Sequence, residues 1–237
     1  MLTTILLDVD NTLLDFNACA LASMKDAFAY FHLPFSKDMV FPVFLEINSK
    51  LWTQIEDGVL TKEQHYQIRW KTILQVLGIP FDGVTLEKKF VEGLHEYAIP
   101  VEGAGELLEY LKSKYVICAA SNAPYEQQIH RLQLSGFYQY MDAFYISEKI
   151  GHQKPSKQFF MHCLHEQGIS NEQAIVIGDS LQADIQGGIN ANIQTIWFNL
   201  SHKTATNTCM PTYEVDQLKK LKKFYKKCCN STGIMVI

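Results

Sequence analysis

The sequence lacks the long hydrophobic runs that membrane-spanning proteins need. No apolar run reaches the roughly 18 residues required to cross a bilayer, and no basic segment followed by an apolar one opens the chain, so we expect no export signal. Positive charge is also scarce, with 21 Lys and Arg against 25 Asp and Glu. This balance argues against nucleic acid as the main partner. We therefore expect a cytoplasmic protein that uses neither a membrane nor nucleic acid.

Paired cysteines are missing as well, since the six cysteines include no CxxC motif. In a chain of 237 residues, scattered cysteines are typical of reduced thiols in a cytosolic protein. The adjacent Cys228 and Cys229 could be redox-active, but we interpret them as an unconstrained pair in the tail. The basic segment Lys219–Lys227 before them has a helical pattern and is interpreted as a surface helix.

Five short apolar runs are typical of β-strands. They cover Thr3–Leu7, Tyr115–Ala120, Ala143–Ile146, Ala174–Ile177 and Thr195–Phe198. From the second run onward, one helical pattern separates each run from the next, which predicts a parallel sheet covered on both faces. Ligands of such sheets bind beyond the carboxyl ends of the strands. Asp8, Ser121 and Asp179 all fall one or two residues past the last apolar position of a predicted strand.

About eighty residues between the first and second predicted strands contain no convincing strand. They carry four helical patterns, at Asn17–Tyr30, Lys37–Trp52, Lys62–Leu77 and Leu86–Tyr97. Thr61 followed by Gln64 has the form of a helix capping box, and Gly78 is typical of a helix end. We expect residues 16–98 to form an inserted all-helical cap, and residues 1–15 with 99–237 to form the α/β core.

The stretch ILLDVDNTLLDF places Asp8 and Asp10 together where a buried strand should end. Like charges about 4 Å apart repel by roughly 4 kcal/mol at an effective dielectric constant of 20, so something positive must lie nearby. Asp179 and Asp184 follow the fourth predicted strand. Carboxylates from two strand ends form a site suited to a hard divalent cation such as Mg²⁺, which favours oxygen ligands.

Four motifs lie in order along the chain: DxDxT at 8–12, Ser121-Asn122, Lys154-Pro155, and GDSxxxD at 178–184. On these motifs the sequence resembles the haloacid dehalogenase superfamily of phosphohydrolases, in the group with a helical cap of the C1 type. The resemblance implies a Rossmann-like parallel sheet core with an inserted all-helical cap domain. The stretches KPSKQFF, VIGDSLQADIQGGINANIQTIWFN and PTYEVDQLKKL also look like the pyrimidine 5′-nucleotidases thought to remove modified pyrimidine monophosphates from the nucleotide pool.

The resemblance implies catalytic roles for Asp8, Asp10 and Lys154. Asp8 would attack phosphorus and form an aspartyl-phosphate. Asp10 would protonate the leaving oxygen and then deprotonate the hydrolytic water. Lys154 would supply positive charge at the phosphoryl group.

The resemblance also implies two sets of binding residues. The metal ligands would be a carboxylate oxygen of Asp8, the backbone carbonyl of Asp10 and the carboxylate of Asp179, with Asp184 acting through a water or by orienting the other ligands. The phosphoryl oxygens would be held by Thr12, Ser121, Asn122 and Lys154.

Asp10 distinguishes between reactions within this superfamily, because dehalogenases lack an acid there. The implied function is a Mg²⁺-dependent phosphomonoesterase acting on a small phosphorylated metabolite, with pyrimidine nucleoside 5′-monophosphates as the leading substrate class. A phosphatase of phosphoglycolate or a sugar phosphate, a phosphomutase, a dehalogenase and a non-catalytic binding protein stay open as alternatives. A monomer and a homodimer are both compatible with the sequence.

Overall fold

A computed structural model describes residues 1–205 and 208–221 of the chain. The chain divides into two compact units, one formed by Met1–Asp15 together with the residues from Pro100 onward, and the other by Phe16–Ile99. Cys228, Cys229 and most of the predicted basic helix lie outside the described residues. None of the helices in the described ranges is long and apolar enough to cross a membrane.

The first unit is built around a parallel sheet of six strands in the order β3-β2-β1-β4-β5-β6 among the described residues. The strands are β1 Thr4–Leu7, β2 Val116–Ser121, β3 Ala143–Ile146, β4 Ala174–Gly178, β5 Gln194–Phe198 and β6 Tyr213–Val215. All four residues of β1 are buried, as expected for a central strand covered on both faces. The predicted α/β class with a parallel sheet is confirmed, although β6 was not predicted.

The second unit consists of four helices, which are α1 Phe16–Tyr30, α2 Lys37–Glu56, α3 Lys62–Leu77 and α4 Gly83–Glu96. Its core is aromatic, with Phe28, Phe44, Trp70 and Phe90 buried together. The helix α3 begins at a capping box in which the Thr61 hydroxyl accepts from the Gln64 amide, and it ends at Gly78 with φ 67°.

Two helices of this unit differ from their predicted bounds by more than one residue. The helix α2 continues four residues beyond Trp52 because Ile55 still faces the buried core. The helix α4 begins three residues before Leu86, since the Asp82 carboxylate accepts a hydrogen bond of 2.8 Å from the Thr85 amide and caps the first turn.

His65 on α3 is a buried residue without a polar partner. Only 1 % of it is exposed, and neither ring nitrogen has a hydrogen-bond partner among the described residues. Burial, together with the positive charge of the nearby Arg69, lowers the pKa of His65 to about 3. The imidazole is therefore neutral in the folded unit at all pH values above that.

We expect this histidine to make the wild-type protein lose stability in acid. Between the pKa of an unfolded histidine, about 6.5, and the folded value, only the unfolded state binds the proton, so the free energy of unfolding falls as pH falls. Urea unfolding at pH 7 and pH 4 should show that wild type loses about 3 kcal/mol more than His65→Phe over this interval. If both proteins lose the same free energy of unfolding between pH 7 and pH 4, His65 is not buried in its neutral form.

The helices of the first unit cover both faces of the sheet. They are α5 Ala104–Lys112, α6 Tyr125–Leu134, α7 Ser147–Ile150, α8 Lys157–Gln167 and α9 Gly187–Asn190, the last preceded by a π-helical segment at Leu181–Gln186. The start of α9 packs tightly on the sheet, since a Cβ at Gly188 would lie 2.4 Å from Cγ2 of Thr195. Gly188 thus permits close helix–sheet packing. A Cβ at Gly187 would lie 2.4 Å from Cε2 of Phe160 on α8, so Gly187 permits close packing between helices.

Candidate active site

The strand order places the candidate residues at one edge of the sheet. Asp8 follows β1, Ser121 ends β2 and Asp179 follows β4, and β1 lies between the other two strands. From β1 the chain proceeds outward to β3 and then crosses to β4 on the opposite side of β1. Ligand sites of parallel sheets form where the strand order reverses in this way.

The turn after β1 brings Thr12 back to Asp8. The backbone amides of Thr12, Leu13 and Leu14 all point at the carbonyl of Val9. Asn11 adopts a left-handed conformation with φ 60°, which asparagine tolerates better than most residues. As a result the Thr12 hydroxyl donates a 2.9 Å hydrogen bond to Oδ2 of Asp8.

Lys154 is a buried cation that joins the strand ends. Its side chain is 2 % exposed, and Nζ donates to Oδ1 of Asp8 at 2.8 Å, to Oδ1 of Asp184 at 2.6 Å and to the carbonyl of Ala120 at 2.7 Å. All three ammonium protons are therefore engaged. Asn122 supports this lysine, since its amide accepts from the Lys154 backbone N–H at 3.0 Å and donates to the Lys154 carbonyl at 2.9 Å.

Asp184 and Asp179 are placed by contacts around the end of β4. Oδ2 of Asp184 accepts from the Ser180 amide at 3.1 Å, and the Ser180 hydroxyl caps the following π-helical segment. A Cβ at Gly178 would lie 2.1 Å from Oδ2 of Asp184, so this carboxylate needs a glycine at that position. The indole N–H of Trp197 donates to the carbonyl of Asp179 at 2.9 Å.

Three carboxylates share one small volume at this edge. Asp8, Asp179 and Asp184 each contribute an oxygen, and these oxygens lie within 4.8 Å of one another. Burial raises the pKa of Asp8 to about 7 despite the opposing charge of Lys154. Burial, followed by the negative charges of Asp8 and Asp184, raises the pKa of Asp179 well above its usual range.

Three carboxylates share this edge with one buried ammonium, so when all three are ionised the cluster carries more negative charge than Lys154 compensates. A hard divalent cation bound by oxygen ligands would remove the excess. The donor set of this edge, which consists of carboxylate oxygens, therefore fits Mg²⁺ better than a soft metal.

Asp10 faces a different set of partners. Its Oδ1 accepts from the Arg131 guanidinium at 2.6 Å, and its Oδ2 accepts from the Gln128 side-chain amide at 3.0 Å. The same amide nitrogen of Gln128 donates to the Ser121 hydroxyl at 3.1 Å. Neither Arg131 nor Gln128 was predicted as a site residue. The available signal was their spacing of three residues on α6, which begins four residues after Ser121.

The structure thus brings together the carboxylates and Lys154 expected from the sequence, while their chemical roles stay predictions. Thr12 contacts Asp8, and Ser121 contacts the Asp10 partner Gln128. Asn122 differs most from expectation, because both ends of its side-chain amide are bonded to the backbone of Lys154.

Comparison with known proteins matches this arrangement to one family. The sequence pattern described as haloacid dehalogenase-like hydrolase matches residues 5–198. The pyrimidine 5′-nucleotidase PynA of Streptococcus pneumoniae is 34 % identical to the chain, over 89 % of this chain and 90 % of its own length. The pyrimidine 5′-nucleotidase YjjG of Escherichia coli is 28 % identical, over 94 % of this chain and 97 % of its own length.

YfnB of Bacillus subtilis, described as a HAD-hydrolase, is 33 % identical over 92 % of this chain and 93 % of its own. Its crystal structure, described as bound to magnesium, superimposes with a TM-score of 0.89 over 94 % of this chain and 98 % of YfnB. The family pattern covers most of the chain and includes the residues that form the carboxylate cluster. The chain therefore belongs to the haloacid dehalogenase-like hydrolase family and is a phosphatase of that family.

Proposed function

We propose that the protein is a Mg²⁺-dependent phosphomonoesterase that hydrolyses pyrimidine nucleoside 5′-monophosphates to nucleoside and phosphate. The observation that supports it best is the junction of Asp8, Asp179 and Asp184 with the buried ammonium of Lys154. Such a junction suits a phosphoryl group because it offers a nucleophile and positive charge in one water-restricted place.

In the first step an oxygen of Asp8 attacks phosphorus and forms the Asp8 O–P bond. The bond from phosphorus to the ester oxygen breaks, and its electron pair goes to the ester oxygen. The carboxyl group of Asp10 gives a proton to that oxygen. The nucleoside leaves with its hydroxyl restored. Thr12 and Lys154 both contact Asp8 and hold its carboxylate in a fixed orientation for the attack.

In the second step the aspartyl-phosphate on Asp8 is hydrolysed. Asp10, now a carboxylate, takes a proton from water as the water oxygen attacks phosphorus. The Asp8 O–P bond breaks, phosphate is released, and both carboxyl groups return to their starting states. We assign the stabilisation of charge on the phosphoryl oxygens in both steps to the Ser121 hydroxyl and to the positive charge of the Lys154 ammonium.

Mg²⁺ would be held by the carboxylates of Asp8 and Asp179 and by the backbone carbonyl of Asp10, with Asp184 supporting them. When bound, the ion neutralises the negative charge of the cluster and of the phosphate. The magnesium in the YfnB crystal structure supports this proposal, as do the raised pKa values of Asp8 and Asp179.

The proposed substrate class follows from the relatives. PynA and YjjG are named pyrimidine 5′-nucleotidases and match the chain over nearly its whole length. The helical unit Phe16–Ile99 would act as the cap that selects a small substrate.

Phosphate release from dUMP, UMP, dTMP and phosphoglycolate, each with and without EDTA, tests this proposal. We expect turnover of the three nucleotides to exceed that of phosphoglycolate by at least about tenfold in kcat/KM, equivalent to about 1.4 kcal/mol. EDTA should abolish all activity, and added Mg²⁺ should restore it. A preference for phosphoglycolate would support the other phosphatase class, and inactivity toward all four would count against the proposal.

A further inference from the structure

We propose that Arg131 and Gln128 are positioning residues for proton transfer, which hold the carboxylate of Asp10 in the orientation that it needs as acid and base. The inference rests on the proposed function, in which Asp10 exchanges protons with the leaving group and water. We call the two side chains the Asp10 clamp.

Both oxygens of Asp10 are held by the clamp from the same helix, α6. Arg131 lies three residues after Gln128, so both side chains lie on one face of α6 and converge on one carboxylate. The 2.6 Å bond from Arg131 to Oδ1 and the 3.0 Å bond from Gln128 to Oδ2 fix the plane of the carboxylate as well as its position. Two donors on two oxygens define a side-chain orientation that one donor would leave free to rotate.

The clamp leaves Asp10 accessible to a reacting group. Arg131 is fully buried, whereas the side chain of Asp10 is 25 % exposed. A carboxylate oxygen has two acceptor directions, and the bonds in the clamp use one on each oxygen. The second direction on each is then available for a proton that passes to the leaving oxygen or arrives from water.

Gln128 also ties Asp10 to the phosphate-binding hydroxyl. Its side-chain nitrogen donates one hydrogen to Asp10 and the other to Ser121 at 3.1 Å, while its side-chain oxygen accepts from Arg131 at 3.3 Å. These bonds admit only one orientation of the amide. Gln128 therefore fixes the acid–base carboxylate relative to the hydroxyl expected to face the phosphoryl group.

A purely structural role explains this arrangement less well. A buried ion pair adds little stability compared with packed apolar side chains of the same size. The fold could fill the position of Arg131 with an apolar residue, yet it places a guanidinium against the one carboxylate assigned to proton transfer. Proton transfer demands a donor within hydrogen-bond reach of the reacting oxygen. A rotated Asp10 would therefore lose much of its contribution to the reaction rate.

The test exploits substrates that differ in their need for an acid. The alkoxide leaving group of UMP requires a proton, whereas the nitrophenolate of p-nitrophenyl phosphate leaves without one. Single-turnover release of uridine and the burst of nitrophenol both report formation of the aspartyl-phosphate. Arg131→Met and Gln128→Leu should slow uridine release by about 10- to 100-fold but change the nitrophenol burst rate by less than about threefold, with KM for UMP nearly unchanged.

Two further variants separate orientation from folding. Arg131→Lys keeps a cation near Asp10 and should recover part of the uridine release rate. Leu132→Val removes a buried methylene from the same helix without touching Asp10, and it should affect both substrates equally and mildly. Circular dichroism and thermal unfolding report whether each variant is folded before its rates are compared.

Equal losses with both substrates, or no loss with either, in folded Arg131→Met and Gln128→Leu would overturn the clamp. That failure is distinct from failure of the proposed function. If the proposed substrate class is wrong, wild-type protein will not hydrolyse UMP, and if the proposed aspartyl-phosphate chemistry is wrong, it will not hydrolyse p-nitrophenyl phosphate either. If only the clamp is wrong, wild type will hydrolyse both and Asp8→Asn will be inactive.

Discussion

Asp8→Asn is expected to lower kcat for phosphate release by about 10,000-fold or more, a loss typical of removing a catalytic nucleophile. The asparagine amide has the shape of the carboxylate but cannot attack phosphorus at a useful rate. Lys154 keeps its bonds to Asp184 and to the Ala120 carbonyl in the variant. The fold should therefore persist while turnover with UMP disappears.

Asp57→Asn is the matched control, because it makes the same chemical change at an exposed position in the other unit. It should retain wild-type kcat and KM. Phosphate release and thermal unfolding are measured on all three proteins. A folded Asp8→Asn protein that keeps more than about a tenth of wild-type kcat would rule out the aspartyl-phosphate route.

The sheet shows what periodicity in the sequence could and could not predict. The strands from β1 to β5 were predicted to within one residue at each end, because continuous apolar runs bounded by helices have few alternative structures. The edge strand β6 was missed. It has three residues, Glu214 within it is exposed, and Tyr213 and Val215 are only half buried. Such a segment becomes a strand because it pairs with the edge of β5, and this pairing leaves no pattern in the local sequence.

The site shows the same division between local and long-range information. Asp8, Asp10 and Asp179 stand out in the sequence because carboxylates directly after apolar strands are costly unless they have a purpose. Gln128 and Arg131 carry no such signal, since polar residues on a helix usually face solvent. Only the fold shows that this face of α6 turns inward toward Asp10.

Asn122 adds a case in which the contacts of a predicted residue depend on the fold. The motif Ser121-Asn122 predicted a phosphate contact for both residues. The structure ties the Asn122 amide to the backbone of Lys154, 32 residues away. A contact at this separation depends on β2 and the loop carrying Lys154 meeting at one edge of the sheet. It therefore follows from topology and not from the motif.

Lys154→Met should cause the largest loss of stability of any single change at this site. The substitution keeps an unbranched side chain that is one atom shorter, but it leaves the buried Asp8 and Asp184 carboxylates without their shared cation. Removing one partner of a buried ion pair costs about 3–5 kcal/mol. We expect a loss of this size in the free energy of unfolding at pH 8 without metal, together with loss of activity. Lys157→Met, three residues further on and exposed, is the matched control and should behave as wild type.

The loss should also depend on pH in a direction that identifies its cause. Without Lys154, the main positive charge that opposes the effect of burial on the pKa of Asp8 and Asp179 is gone. The folded variant therefore binds protons at pH values where the unfolded chain does not. Its free energy of unfolding then falls as pH rises from about 5 to 8, and the deficit relative to wild type should be smaller at pH 5. Urea unfolding at both pH values in EDTA measures this difference. A deficit that is the same at pH 5 and pH 8 would mean that lost packing, not uncompensated carboxylate charge, destabilises the variant.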